Sequence, residues 1–200
     1  MQRYRPEQII EKYRAIVGDT TDEEFFRRPH HQKTQELWCA GHFALGFEKH
    51  IGPCTVLIGD RDEQTDADFV LEWNGESLPF QITEVMEPGR RRGDEYRDGA
   101  IPPVRSDDWS RGSEHGPSWV RDAIEKKAKK QYADADKLHL LCYLNFGAWS
   151  QKFEDMRIAC ADVSPKFASV WLLSGNMLCR IHPVLPEYPG WLPITETPRS

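Results

Sequence analysis

Apolar residues first recur at helical spacing over residues 6–17, where Ile9, Ile10, Tyr13, Ile16 and Val17 share one side and Pro6 suits a first turn. Thr21-Asp22-Glu23-Glu24 reads as a second helix start running into Phe25-Phe26. Residues 33–50 predict a longer helix, with Leu37, Ala40, Gly41, Ala44, Leu45 and Glu48 along one stripe and Glu36 on its first turns. Thr55 to Ile58 is a short apolar strand. The period then switches to two. Asp66–Trp73 and Glu76–Thr83 both alternate, and Asn74-Gly75 between them predicts a hairpin, because a type I′ turn needs φ > 0 at both central residues.

A two-residue loop fixes the register, so that Trp73 faces Glu76, Leu71 faces Leu78, Phe69 faces Phe80 and Asp68 faces Gln81. Alternation then gives one apolar face of Ala67, Phe69, Leu71, Trp73, Leu78, Phe80 and Ile82. The other gathers the oxygen-bearing side chains of Asp66, Asp68, Gln81 and Thr83. Glu84 belongs to the opposite face, and only a bulge would bring it round. The simplest alternative for the oxygen cluster is the solvated side of an antiparallel hairpin.

From Pro88 to Gly116 the chain is polar, rich in Gly, Pro, Arg and Asp, and without a steady period, so a long loop is expected there, either functional or mobile. Pro117-Ser118 predicts the start of a helix through Tyr132, with Val120, Ala123, Ile124 and Ala128 buried. That helix carries Arg121, Lys126, Lys127, Lys129 and Lys130 against Asp122 and Glu125, a local net charge of +3. Lys127 stands apart because it lies three residues after Ile124 and seven after Val120, at the border of the apolar stripe. Leu138–Phe146 is almost continuously apolar and reads as a central strand covered on both faces. A short amphipathic segment over 151–163 and a hairpin around Ser174-Gly175-Asn176 follow. The Pro-rich end, 183–200, shows no core pattern and is expected to wrap the surface around Trp191.

Composition narrows this picture only in places. Two hundred residues with 39% hydrophobic content and seven Trp suit a single folded domain: a core over 33–146, an N-terminal helical extension over 1–32 and the Pro-rich tail. A net charge of −6 argues against a nucleic-acid coat protein, but an enzyme can bind phosphate through local basic patches. Cys39, Cys54, Cys142, Cys160 and Cys179 are odd in number and contain no C-x-x-C pair, so buried free thiols are expected rather than a zinc framework. Cys39 and His42 have ligand-like spacing but no second pair. No stretch has a signal-peptide or membrane-spanning pattern, which makes the cytoplasm the expected location and a membrane an unexpected partner. The histidines show no H-E-x-x-H spacing, and G-x-S-x-G, P-loop and dinucleotide motifs are absent.

Asp68, twelve residues, then Gln81-Ile82-Thr83 resembles the PD-(D/E)XK nuclease signature, with Gln in the position of the second acid and Thr83 where the family has Lys. The stretch Phe80–Asp98 also looks like a small bacterial family described as endonucleases. The resemblance implies an α/β fold with a mixed sheet and the restriction endonuclease-like order α-β-β-β-α-β, flanked here by N-terminal helices and a C-terminal hairpin. It implies hydrolysis of phosphodiester bonds in DNA or RNA with Mg²⁺ or Mn²⁺ and a nucleic-acid partner, and it leaves a homodimer, as in many nucleases, open. On this reading Asp68 is the anionic metal ligand, with the Gln81 side-chain oxygen and the Ile82 carbonyl beside it, a donor set suited to a hard cation that keeps several waters. Glu36 matches, by order, the further acid supplied by the helix before the first core strand; otherwise it is a helix-start Glu favoured by the macrodipole. The family's lysine can migrate to the following helix, and Lys127 is the candidate, with Lys126 and Lys130 behind it. Arg90, Arg91 and Arg92, leaving the second hairpin strand, are placed to grip a phosphate backbone or cover the site; a solvated basic turn is the alternative. Two other functions fit the sequence: a nuclease-like domain that has lost catalysis along with the motif lysine, and a small interaction protein of toxin or antitoxin type contacting its partner through the 88–116 segment.

Overall fold

The computed structural model describes residues 1–18, 32–59, 67–90, 106–130, 132, 134 and 136–195. Asp66, Arg91, Arg92 and the expected helix start at Thr21 lie outside them. The described elements run β1 (Gln2–Tyr4), α1 (Pro6–Gly18), α2 (Gln32–His50), β2 (Thr55–Ile58), β3 (Phe69–Trp73), β4 (Glu76–Val85), α3 (Ser106–Ala128), β5 (His139–Leu144), α4 (Phe153–Ala159), β6 (Ser169–Ser174), β7 (Met177–His182) and β8 (Leu192–Pro193). All eight strands form one sheet in chain order. It is mixed: β4, β5 and β6 are parallel, and the other pairs are antiparallel. The fold is therefore mixed α/β.

The β3–β4 hairpin has the expected register, Trp73 opposite Glu76 and Phe69 opposite Phe80. Asn74 and Gly75 take φ of 50° and 80°, the left-handed pair that a type I′ turn requires. Beyond Phe80, β4 changes partner and pairs in parallel with β5, Phe80 with His139 through Val85 with Leu144. The strand thus has an antiparallel half and a parallel half, and Asp68 stands at the point where β3 ends.

The sheet is covered on both faces, so the alternation along β4 separates two cores rather than core from solvent. Phe69, Leu71 and Phe80 join Phe43, Phe47 and Trp171 under α2. Phe43 sits at the centre of that group, its ring 4.7 Å from Phe80 and 5.2 Å from Trp171. On the other side Val85, Leu140, Cys142 and Val170 pack with Val120 and Ile124 of α3. Gln81 belongs to this second side and is only 8% exposed, which excludes the solvated-hairpin alternative.

Three expectations need correction. Residues 106–116 are helical rather than loop, because α3 starts at Ser106 and carries Pro117 inside it; it also ends at Ala128, short of Tyr132. Proline removes one intrahelical hydrogen bond and glycine lowers helix propensity, so the local pattern speaks against a helix here. Packing outweighs that preference: Gly112 brings α3 so close to the chain after β5 that a β-carbon there would lie 1.8 Å from the Gly147 carbonyl oxygen, and one at Gly116 would lie 2.7 Å from the Phe146 ring. The tail is also more than a surface wrap. Leu192–Pro193 adds an edge strand to β7, and Ile194 is 4% exposed in the aromatic core. Finally, Gln2–Tyr4 forms an edge strand on β2 that the charged N-terminus gave no reason to expect.

The five cysteines are buried and none is in a disulfide, as expected. Among the described residues no helix is long and apolar enough to cross a membrane.

Candidate active site

Asp68 and Gln81 come together where β3 leaves β4. The Asp68 amide still donates to the Phe80 carbonyl at 2.8 Å, which holds its backbone on the ladder. Its carboxylate then takes over from the missing strand: Oδ2 accepts the Ile82 amide N–H at 2.6 Å, leaving Oδ1 for another donor or a cation. Burial raises the Asp68 pKa above its ordinary 3.8; the Ile82 hydrogen bond and the charges of Lys127, Lys130 and Lys33 pull the other way.

Lys127 reaches this pair from α3. Val120 and Ile124, on the same stripe, are fully buried under the sheet, so the next residue along the stripe is carried to the sheet surface with its stem covered and its amine aimed inward. The amine donates to Gln81 Oε1 at 2.6 Å, and the Tyr132 hydroxyl approaches the same oxygen at 3.4 Å. Burial lowers the Lys127 pKa from 10.5, an effect opposed by the charges of Asp68 and Glu36. The influence of Glu36, half-buried on α2, brings the fourth expected residue into the electrostatics of the site.

Thr83 and Lys127 also line an adjoining cleft of about 390 Å³. Arg90, Lys126 and Lys130 line it too, so the three cations expected to face nucleic acid that can be located share one concavity. Lys126 and Lys130 are exposed, whereas Arg90 is half-buried and donates to the Asn145 carbonyl at 3.0 Å. Of the carboxylates in the cleft wall, Glu84 accepts from Asn145 Nδ2 at 2.7 Å and Glu87 accepts from Arg111 at 2.7 Å, while Asp122 is exposed. Glu84 therefore keeps away from Gln81, as the register requires.

Two polar groups at the site escaped the sequence reading. Asn145 ties together the ends of β4 and β5 through Glu84, Arg90 and the Val85 carbonyl, which its amide contacts at 2.8 Å. Its position at the end of a buried strand, beside β4, is the only signal that could have found it. Tyr132 follows the helix and carries no periodic signal. His42, by contrast, hydrogen-bonds the Trp38 carbonyl at 3.0 Å and stacks on its ring, which accounts for it without a metal.

Among the described residues there is no cluster of three or more His, Cys, Asp or Glu side chains that could hold a metal ion. The donors at Asp68 are of another kind: one carboxylate, one side-chain amide oxygen and one backbone carbonyl. Hard oxygen donors with a single carboxylate suit Mg²⁺ or Mn²⁺, which keep several waters, and do not suit zinc. Comparison with protein-family models, curated proteins and solved structures finds no match to this chain.

Proposed function

We propose that this chain is a divalent-metal-dependent nuclease with a restriction endonuclease-like core, in which Lys127 has taken the place of the lysine that Thr83 replaces. The observation that carries the reading is the 2.6 Å contact between the Lys127 amine and Gln81 Oε1, beside the Asp68 carboxylate. A motif strand without its lysine has recovered an amine from the next helix. The order α2-β2-β3-β4-α3-β5 supports the same reading.

Asp68 Oδ1, Gln81 Oε1 and the Ile82 carbonyl would hold the cation, with Glu36 as a further acid. When bound, the cation supplies charge neutralisation on the phosphate and acidifies a water. Asp68 provides the fixed negative charge and is kept in place by the Ile82 N–H. Lys127, its pKa lowered by burial, orients the attacking water and stabilises the charge growing on the phosphoryl oxygens. Arg90, Lys126 and Lys130 hold the substrate backbone along the cleft.

The test is incubation of the purified chain with plasmid, linear and single-stranded DNA and with RNA, in Mg²⁺, Mn²⁺ or EDTA. Cleavage is expected with metal only, and Asp68→Ala should lower it about 10³-fold or more. Absence of cleavage from every substrate and metal would overturn the reading in favour of a nuclease-like binding module or an interaction protein.

A further inference from the structure

The aromatic side of the sheet holds a second pocket, of about 220 Å³. Phe47, Trp73, Phe80, Trp171 and Tyr188 present rings to it. Its volume is below the roughly 300–1,000 Å³ of sites for drug-sized ligands, which suits one ring or a fused pair.

The half-buried polar side chains in this apolar setting include Arg180 and His139. Arg180, on β7, stacks over Trp171 with its guanidinium carbon 5.6 Å from the ring centroid. Its Nε is buried and has no hydrogen-bond partner, and no described carboxylate forms an ion pair with it. Glu187 lines the same pocket but is exposed and leaves Arg180 unpaired. A buried Nε–H without an acceptor is costly, and such a group calls for an explanation.

His139 adds a second polar group. Ser169 Oγ lies 2.9 Å from Trp171 Nε1, which can only donate, and 2.6 Å from His139 Nδ1. The Ser169 oxygen therefore accepts from Trp171, and toward His139 Nδ1 it can either donate its own proton or accept the ring's. When the hydroxyl donates, the imidazole proton sits on Nε2. Burial and the Arg180 charge push the His139 pKa down to about 4, so the ring is neutral at ordinary pH. The pocket thus offers a guanidinium with an unpartnered Nε–H and a neutral imidazole between aromatic rings, and the one carboxylate in its lining, Glu187, is exposed and forms no ion pair with Arg180.

We propose that this pocket binds a small planar aromatic carboxylate, its ring among Phe80, Trp171 and Tyr188 and its carboxylate on Arg180 and the His139 Nε2–H. The site is separate from the Asp68–Lys127 pair and does not depend on the nuclease reading. A carboxylate supplies the two acceptor oxygens that a guanidinium fork matches, while the ring replaces water on the apolar walls.

The experiment is an NMR titration of the full chain, following the His139 imidazole and the Arg180 Nε–H. The probes are benzoate, indole-3-carboxylate, their uncharged amides, acetate and inorganic phosphate. Saturable binding of the aromatic acids is expected, with the amides at least about tenfold weaker because the charge-assisted contact is lost. The His139 titration midpoint should rise on binding, since the new charge offsets that of Arg180; His50, Glu187 and Tyr188 are the other titratable groups in the pocket. Arg180→Met should abolish the preference for acid over amide, and Arg180→Lys should retain part of it. Equal binding of acids and amides, equal binding of acetate or phosphate, or no saturable binding by the unmodified chain would each overturn the proposal. None of these outcomes requires a variant to fold.

Discussion

The two faces of the sheet solve the same packing problem differently. Under α2 the contacts are made by rings, with Phe43, Phe47, Phe69, Phe80 and Trp171 filling the layer. Under α3 aliphatic side chains such as Val120, Ile124, Leu140 and Val170 fill most of the layer, with Trp119 and Phe167 among them, and the helix comes close enough to meet backbone. Each face also holds a half-buried cation whose surroundings can be compared, Lys127 on one and Arg180 on the other. Lys127 is satisfied by Gln81 and influenced by Asp68, whereas the Arg180 Nε has no partner. The comparison teaches that a cation fixed by its own protein is part of a preset constellation, while one left without an acceptor marks a place for something from outside.

Lys127→Ala should break the α3 side most severely. It should reduce metal-dependent cleavage by about 10²–10⁴-fold, the usual range for a group that assists proton transfer. Rates measured across pH would sharpen the point: the parent's dependence on an amine with a lowered pKa should vanish in the variant. A variant with the parent's rate and profile would remove Lys127 from the mechanism.

Next in size is the difference in helix contact. Gly112→Ala should cost about 2–3 kcal/mol, because the new methyl meets a backbone carbonyl that cannot turn aside, and overpacking outweighs the helix propensity gained. On the other face, Gly41→Ala should fall within about 1 kcal/mol of neutral. There a β-carbon would lie 2.7 Å from Ile10 Cδ1, the far end of a side chain that can rotate away, and the propensity gain offsets the crowding. Urea unfolding of both variants measures the contrast, and equal losses would contradict it.

The smallest effect concerns charge. The Asp68 pKa is raised in the folded state, so the stability linked to it is present below pH 3.8 and lost as pH rises through the folded value. At neutral pH the ionised carboxylate is therefore a burden. Asp68→Asn keeps an acceptor for the Ile82 N–H and should raise Tm at pH 7, while activity is lost. Lys127 has the opposite shift with the same consequence. Its folded pKa lies below 10.5, so stability should rise as pH climbs from that value toward 10.5. A Tm that is unchanged in Asp68→Asn would show that the carboxylate carries no such cost.

Much of the β3–β4 and Lys127 geometry was legible in the sequence because it rests on local rules. Asn74-Gly75 dictates its own turn, and the turn dictates register as far as Phe69 opposite Phe80; just before it, the Asp68 amide bonds the Phe80 carbonyl rather than pairing with Gln81, and the carboxylate reaches the Ile82 N–H. Lys127 was legible for a similar reason, since helical spacing from Val120 and Ile124 is a property of one segment. The misses have the reverse character. Residues 106–117 look like loop until the backbone at Gly147 is known, and Ile194 looks like tail until β7 is there to receive it. Asn145, Tyr132 and the Arg180 pocket depend on which strands lie side by side, and no window of sequence contains that information.

The change of partner halfway along β4 has a consequence for how the chain reaches this structure. The first half pairs across a two-residue turn, whereas the second half must find His139 and the strand that follows it, far along the chain. Closing the short loop is entropically cheap and closing the long one is not, so the hairpin is expected to form first and act as a template. The later parallel pairing then inherits an alignment already chosen. Sliding β5 by one residue would match Gln81 with the wrong side of its neighbour and put His139 and Leu140 in each other's compartments. Four atoms of glycine beside an asparagine thereby protect two distant sites against the same assembly error.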